Sequence, residues 1–184
     1  MKNPLAVSAV TKKLCDQVYE HSKEGRLVLT LGGDHSIAIG TIAGTAKAIR
    51  ERLDREMAVI WVDAHTDINT PETSESGNVH GMPVAFLSGL AKEDREDVFG
   101  WLKKDNLISL KKLVYIGLRD VDRGEKLILR EHGIKAFSMH DIDRYFLLLC
   151  CGTMLIISLQ TRYRQSHGNG SWSHRQRYTC SSLL

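Results

Sequence analysis

Residues 57–62 form an uninterrupted apolar run that ends at a cluster of metal-type ligands. The run shows no alternation of apolar and polar residues, which is typical of a parallel strand covered on both faces. Asp63, His65 and Asp67 follow it at once, and side chains at i, i+2 and i+4 lie on one side of an extended chain. Because charged groups beside a buried strand need a compensating cation or partner, the pattern predicts a metal site at a strand end.

Strands and helices are predicted to alternate along most of the chain. We expect apolar strands at 27–31, 57–62, 113–117 and 135–139, and helices at 5–23, 36–52, 83–90, 93–102 and 122–132. This order predicts an α/β fold with a mainly parallel sheet. Such sheets place ligands beyond the carboxyl ends of their strands, which is where the polar cluster lies.

A second polar cluster follows the predicted strand at 27–31. Asp34 and His35 come after two glycines that let the backbone turn sharply. A lone histidine in such a place is usually structural, but adjacent parallel strands deliver their carboxyl ends to one edge, so we expect His35 to join the ligand cluster. Asp34 either orients a ligand histidine or caps the next helix.

The ligand types indicate which metal would bind. Carboxylates mixed with imidazole, without thiolate, favour Mn²⁺ or Mg²⁺ over Zn²⁺ or Fe²⁺. Such a metal lowers the pKa of a bound water and supplies hydroxide at neutral pH. The cluster is therefore suited to hydrolytic chemistry.

Composition disfavours several other classes of protein. A hydrophobic content of 42% and a charged content of 26% are those of a soluble globular protein, and a net charge of +3 gives no reason to expect nucleic acid. The apolar run 145–159 is shorter than the roughly 20 residues of a membrane helix, so no membrane partner is expected. The cysteines show no CxxC spacing, which disfavours disulfides and zinc fingers and favours a reducing compartment.

The composition changes abruptly near Arg144. No Asp or Glu follows Asp143, whereas five arginines do. We therefore expect a folded domain over residues 1–144 and a divergent, poorly ordered tail over 145–184. So abrupt a change is typical of alternative splicing, a shifted reading frame or a gene-model error.

Three segments resemble the signatures of the ureohydrolase family, and of the arginases within it. They are GGDHS at 32–36, DAHTDIN at 63–69 and SGNVHG at 76–81, and the similarity covers roughly the first 144 residues. The resemblance implies a three-layer α/β/α fold and a binuclear manganese site. It also implies hydrolysis of guanidinium groups, with L-arginine converted to L-ornithine and urea.

The resemblance further implies which side chains hold the metals. His35, Asp63 and Asp67 would bind one Mn²⁺, while His65 and the bridging Asp63 would bind the other. His80 would shuttle protons to the leaving amine, a task that suits histidine because imidazole titrates near neutral pH.

The remaining implied roles concern the substrate. Asn69, Ser76 and Asn78 would hold the α-carboxylate of L-arginine, and Asp122 and Glu125 would contact its α-amino group. L-Arginine is favoured over agmatine or another guanidino compound because agmatine has no carboxylate. Other interpretations remain open: Ser76 and Asn78 suit a turn, Asp122 suits a helix N-cap, and Glu125 suits a solvated helix face.

The chain departs from the family at its second metal motif. That motif is an Asp-x-Asp on a later strand followed by an Asp-Pro, and no acidic residue follows Asp143 here. One interpretation is an arginase-like hydrolase; the other is a catalytically inactive, truncated isoform that acts, if at all, by binding or co-assembly. The family forms trimers, but much of that contact surface lies in the missing C-terminal region. Family members occur in both the cytoplasm and mitochondria.

Overall fold

The structure is a computed structural model that describes residues 1–91 and 95–150, with side chains described up to Tyr145. Its described part contains a three-stranded sheet in the order β1-β2-β3. The strands are β1 (Val59–Val62), β2 (Leu113–Leu118) and β3 (Lys135–Ser138). Both pairs of neighbours are parallel. The predicted α/β class with a parallel sheet is therefore confirmed.

The described residues form five α-helices, and most begin or end where the sequence predicts. They are α1 (Pro4–Lys23), α2 (Ile37–Leu53), α3 (Pro83–Ser88), α4 (Arg123–Glu131) and α5 (Met139–Cys150). Pro4 and Pro83 lie in the first turn of their helices, where a missing N–H costs nothing. Three short 3₁₀ helices span Val79–Gly81, Lys104–Asn106 and Leu110–Lys112. No described helix has the length and apolar character needed to span a membrane.

The main core lies against one face of the sheet. Val59 and Trp61 of β1 are buried there together with Tyr115 of β2. Ile60 and Val62, which alternate with them, are 66% and 72% exposed. The opposite face of β1 is thus open among the described residues, although the uninterrupted apolar run predicted burial on both faces.

Helices α1 and α2 approach each other closely through two glycines. A Cβ on Gly40 would lie 2.4 Å from the carbonyl oxygen of Thr11, and one on Gly44 would lie 2.5 Å from that of Cys15. Only the absence of a side chain permits this separation. Since α2 begins two residues after His35, the contact also fixes where that histidine lies.

The predicted strand at 27–31 is wrong. Those residues form no strand, and Leu27 and Leu31 are 97% and 84% exposed. A strand is defined by a ladder of hydrogen bonds to a neighbour, and no described strand pairs with this segment. The apolar pattern therefore identifies residues that favour a strand, but it does not show whether a neighbouring strand is there to pair with them.

The predicted helix at 93–102 is also wrong over its described part. Residues 96–101 form turns, and residues 92–94 lie outside the described part of the chain. Phe99 has a φ of 58°, a left-handed conformation that a right-handed helix cannot contain.

The predicted boundary between domain and tail lies within a helix. Helix α5 crosses residue 144 and is described to Cys150. Residues 151–184, most of the predicted tail, lie outside the described residues. The boundary and the poor order of the tail remain predictions.

Candidate active site

His35, Asp63 and Asp67 come together at the carboxyl end of β1. The Nδ1 atom of His35 lies 2.6 Å from Oδ2 of Asp67 and 3.0 Å from Oδ2 of Asp63. One ligand atom from each residue lies within 4.8 Å of the other two. The structure thus brings together, from segments far apart in the chain, three residues that the sequence assigned to one metal.

Local structure places each of the three side chains. The N–H of Asp63 donates to the carbonyl of Ile116 (3.0 Å), so this residue continues the ladder between β1 and β2. His35 precedes α2, and its ring meets the Trp61 ring edge-on, with centroids 5.1 Å apart. Asp67 has a φ of 48°, which bends the chain out of the strand direction.

Asp34 stabilises the turn that precedes α2. Its Oδ1 accepts hydrogen bonds from the backbone N–H (2.9 Å) and the hydroxyl (2.5 Å) of Ser36, just before α2 begins. These two bonds lower the pKa of the Asp34 carboxyl, and His80 and His35 lower it further through their charge. Both bonds engage Asp34 with Ser36 at the turn that leads into α2, so its role as an orienter of a ligand histidine remains a prediction.

The two oxygens of Asp63 face different histidines. Oδ2 lies 3.0 Å from His35, whereas Oδ1 lies 3.3 Å from Nδ1 of His65. A carboxylate oriented in this way can bridge two cations. His65 also lies 3.6 Å from the exposed Asp120, a neighbour that the sequence analysis missed because nothing in its spacing distinguishes it from a surface acid.

The electrostatics of the cluster favour a cation. Burial raises the pKa of Asp67, and the nearby charge of Asp63 raises it further, against the opposing influence of His35 and His65. Two carboxylates sharing one imidazole nitrogen repel each other. A divalent cation would relieve that repulsion, and oxygen and imidazole ligands are those that Mn²⁺ accepts. The donor set therefore fits the metal.

Asn69 anchors the loop that follows the cluster. Its Nδ2 donates to Oδ2 of Asp122 (2.6 Å), and its Oδ1 accepts from the hydroxyl of Thr73 (2.7 Å). Gly124 leaves room for these hydrogen-bonded side chains, since a Cβ there would lie 3.1–3.4 Å from atoms of Asn69, Thr73 and Asp122. Thr73 was missed by the sequence analysis because it is one of several polar residues in a polar loop.

Ser76, Asn78 and His80 lie on one short stretch of the same loop. The Ser76 hydroxyl accepts from the backbone N–H of Asn78 (3.2 Å), and Asn78 precedes the 3₁₀ turn that carries His80. Ser76 and His80 are exposed and Asn78 is half-buried. The turn interpretation of Ser76 agrees with this bond, and a substrate contact for all three remains a prediction.

Asp122 and Glu125 form a capping box at the start of α4. Oδ1 of Asp122 accepts from the N–H of Glu125 (2.8 Å), and Oε2 of Glu125 accepts from the N–H of Asp122 (3.2 Å). Glu125 is only 5% exposed, so its interpretation as part of a solvated helix face is wrong. Burial raises its pKa, an effect opposed by the Thr66 side chain and by backbone N–H groups.

Substitutions of Asp122 should separate its two bonds. We expect Asp122→Ala to lower the free energy of unfolding by about 1 kcal/mol through loss of the cap. Asp122→Asn should keep most of that stability, because asparagine also caps helices, while its single oxygen cannot serve both Glu125 and Asn69. Urea unfolding measures the free energy of unfolding. Amide exchange of residues 69–78 reports whether the bond between residue 122 and Asn69 is lost. Equal unfolding midpoints for the two variants would refute this division.

Comparison with known proteins agrees with the fold. The arginase family profile matches residues 2–148. The arginase of Coccidioides posadasii is 79% identical over 145 residues, covering 79% of this chain and 45% of that protein. Human arginase-1 is 52% identical over 144 residues, covering 78% and 43%. A crystal structure of a cold-adapted arginase from the yeast Glaciozyma antarctica superposes with a TM-score of 0.69 at 51% identity, covering 78% and 49%.

Fold and site together define an α/β protein with a carboxylate–imidazole cluster at the carboxyl end of a parallel sheet. The extent and level of these similarities make the assignment specific: this chain belongs to the arginase family. It spans less than half the length of the curated relatives it matches.

Proposed function

We propose that this chain binds Mn²⁺ through His35, Asp63, His65 and Asp67, and that its site serves the hydrolysis of L-arginine to L-ornithine and urea. The convergence of His35 with Asp63 and Asp67 is the observation that carries the proposal. The opposed oxygens of Asp63 support a bridging position between two ions. When bound, Mn²⁺ would activate a water molecule for attack on the guanidinium carbon.

The surrounding residues would bind and orient the substrate. Asn69, Ser76 and Asn78 would offer short polar side chains to the α-carboxylate, and their loop lies next to the start of α4. Asp122 presents a carboxylate there that suits the α-ammonium group. Its bond to Asn69 joins the two parts of this subsite.

Two groups of the proposed site have other tasks. Glu125 is buried behind Asp122 and holds that residue's backbone, so in this arrangement it supports the ammonium subsite from behind. His80 is exposed on the same loop and would pass a proton to the departing amine.

A second function is metal binding or co-assembly without catalysis. It is favoured by the absence of any acidic residue after Asp143, since the family draws further metal ligands from a later Asp-x-Asp motif. Losing ligands lowers metal affinity and leaves the activated water less well held. We expect the residues present here to bind fewer or weaker ions than an arginase in which that motif is present.

Metal stoichiometry measured together with urea release tests the proposal. The purified full chain is titrated with Mn²⁺ in a calorimeter and then assayed with L-arginine, with agmatine as the matched substrate lacking a carboxylate. Metal binding with urea release from L-arginine alone supports the hydrolase. Metal binding without urea supports the second function. No metal binding refutes the hydrolase and leaves co-assembly as the only form of the second function.

A further inference from the structure

Asp67 has an unusual backbone for a metal-ligand residue. Its φ of 48° lies in the left-handed region, which residues with a Cβ adopt at an energetic cost. Such a conformation persists only where surrounding contacts enforce it. The residue's carboxylate nonetheless makes the shortest contact of the cluster, 2.6 Å to His35.

Two hydrogen bonds hold the backbone on either side of this residue. The Tyr115 hydroxyl donates to the carbonyl oxygen of Thr66 at 2.7 Å, immediately before Asp67. The N–H of Val84, at the start of α3, donates to the carbonyl oxygen of Asp67 at 3.0 Å. The first of these bonds comes from a side chain and can be removed without altering the main chain.

Tyr115 is well placed to act as a fixed support. It lies in β2, the central strand of the described sheet, where it pairs with Trp61 on one side and Ala136 on the other. It has no exposed surface, so its hydroxyl requires a partner inside the protein. Burial, together with Glu125 and Asp67 nearby, raises its pKa well above the ordinary value, so the hydroxyl remains a donor.

We propose that Tyr115 is a positioning residue, whose hydroxyl fixes the peptide between Thr66 and Asp67 so that Asp67 presents its carboxylate to the metal cluster. The expected effect of Tyr115 on Mn²⁺ affinity rests on the proposed Mn²⁺ site. Its expected effect on the order of the backbone around Asp67 does not. A phenylalanine would fill the same space in the core, so the tyrosine oxygen serves the loop and not the packing.

Tyr115→Phe removes that single oxygen, and Tyr19→Phe is its matched control. Tyr19 also loses one hydroxyl bond, to Glu51 on the surface of α1 and α2, far from the cluster. In metal-free full-length protein, amide hydrogen exchange of Val84 should accelerate about tenfold or more in Tyr115→Phe and remain unchanged in Tyr19→Phe. Mn²⁺ affinity should fall by about tenfold in Tyr115→Phe alone, comparable to the loss of an outer contact behind a metal ligand.

A double-substitution cycle distinguishes positioning from general destabilisation. In an Asp67→Asn background, Tyr115→Phe should cause no further loss of metal affinity, because its effect passes through Asp67. An equal loss in both backgrounds would overturn the proposal, as would unchanged exchange at Val84. If the unsubstituted chain binds no Mn²⁺, the proposed function fails while the exchange measurement still decides the role of Tyr115.

A measurement on the unsubstituted protein covers the case in which Tyr115→Phe does not fold. The Tyr115 hydroxyl proton should exchange slowly enough to be seen as a separate signal by NMR. A hydroxyl proton in rapid exchange with water would overturn the proposal.

Discussion

Asp67→Asn is expected to weaken Mn²⁺ binding on the order of 100-fold, since loss of a direct ligand should cost at least as much as loss of an outer contact. The substitution removes the negative charge and one of the two oxygens. It keeps the size of the side chain, and asparagine tolerates left-handed backbone about as well as aspartate. The fold should therefore survive while the cluster loses its most buried carboxylate.

Asp54→Asn provides the matched control for this experiment. Asp54 has nearly the same left-handed φ, 49°, but lies at the exposed C-terminal end of α2, away from the cluster. Calorimetric titration with Mn²⁺ should show native affinity for Asp54→Asn and the large loss for Asp67→Asn. Equal affinities for the two variants would show that Asp67 is not a ligand.

Gly40→Ala is expected to lower the free energy of unfolding by about 1–3 kcal/mol. Helix propensity alone predicts the opposite sign, a gain of up to about 1 kcal/mol. Packing prevails because the new Cβ would meet the Thr11 carbonyl oxygen at 2.4 Å, and a backbone atom inside a helix cannot move aside without moving the helix. Against a total stability of about 5–15 kcal/mol, this is a large change.

Gly81→Ala makes the same chemical change where space is free. No atom lies within 4 Å of a Cβ built there, and its φ is not positive. Urea unfolding followed by circular dichroism should place its midpoint close to that of the unsubstituted chain. We also expect Gly40→Ala to reduce Mn²⁺ affinity, because a displaced α2 would carry His35 away from Asp63 and Asp67. An unfolding midpoint for Gly40→Ala equal to that of Gly81→Ala would contradict the packing argument.

Some predicted strands form and one does not, because a strand needs a neighbouring strand and local sequence does not show whether one is present. Residues within 57–62, 113–117 and 135–139 form strands because each finds a parallel neighbour in the described sheet. Residues 27–31 are equally apolar and form none, because no described strand lies beside them. Phe99 shows a similar limit, since the left-handed backbone that interrupts the predicted helix lies at this residue and not at the neighbouring Gly100.

The candidate site was predictable where residue type and spacing carry the chemistry. The grouping of His35 with Asp63 and Asp67 follows from polar residues after two predicted strands, although one of these strands does not form. Helix α2 and the turn formed by Asp34 and Ser36 hold His35 in place instead. The supports of the site were not predictable, because Tyr115 sits in an ordinary apolar strand pattern and Thr73 in an ordinary polar loop.

Sequence alone predicted the cluster of candidate ligands at residues 63–67, because carboxylate and imidazole groups directly after an apolar strand carry their chemistry in their type and spacing. Tertiary structure alone decided how those groups are held. The left-handed turn at Asp67, the bond from Tyr115 and the contact of the Asp63 Oδ2 atom with His35 all depend on contacts between residues distant in the chain. A local pattern can specify a ligand, but only packing can fix the direction in which it points.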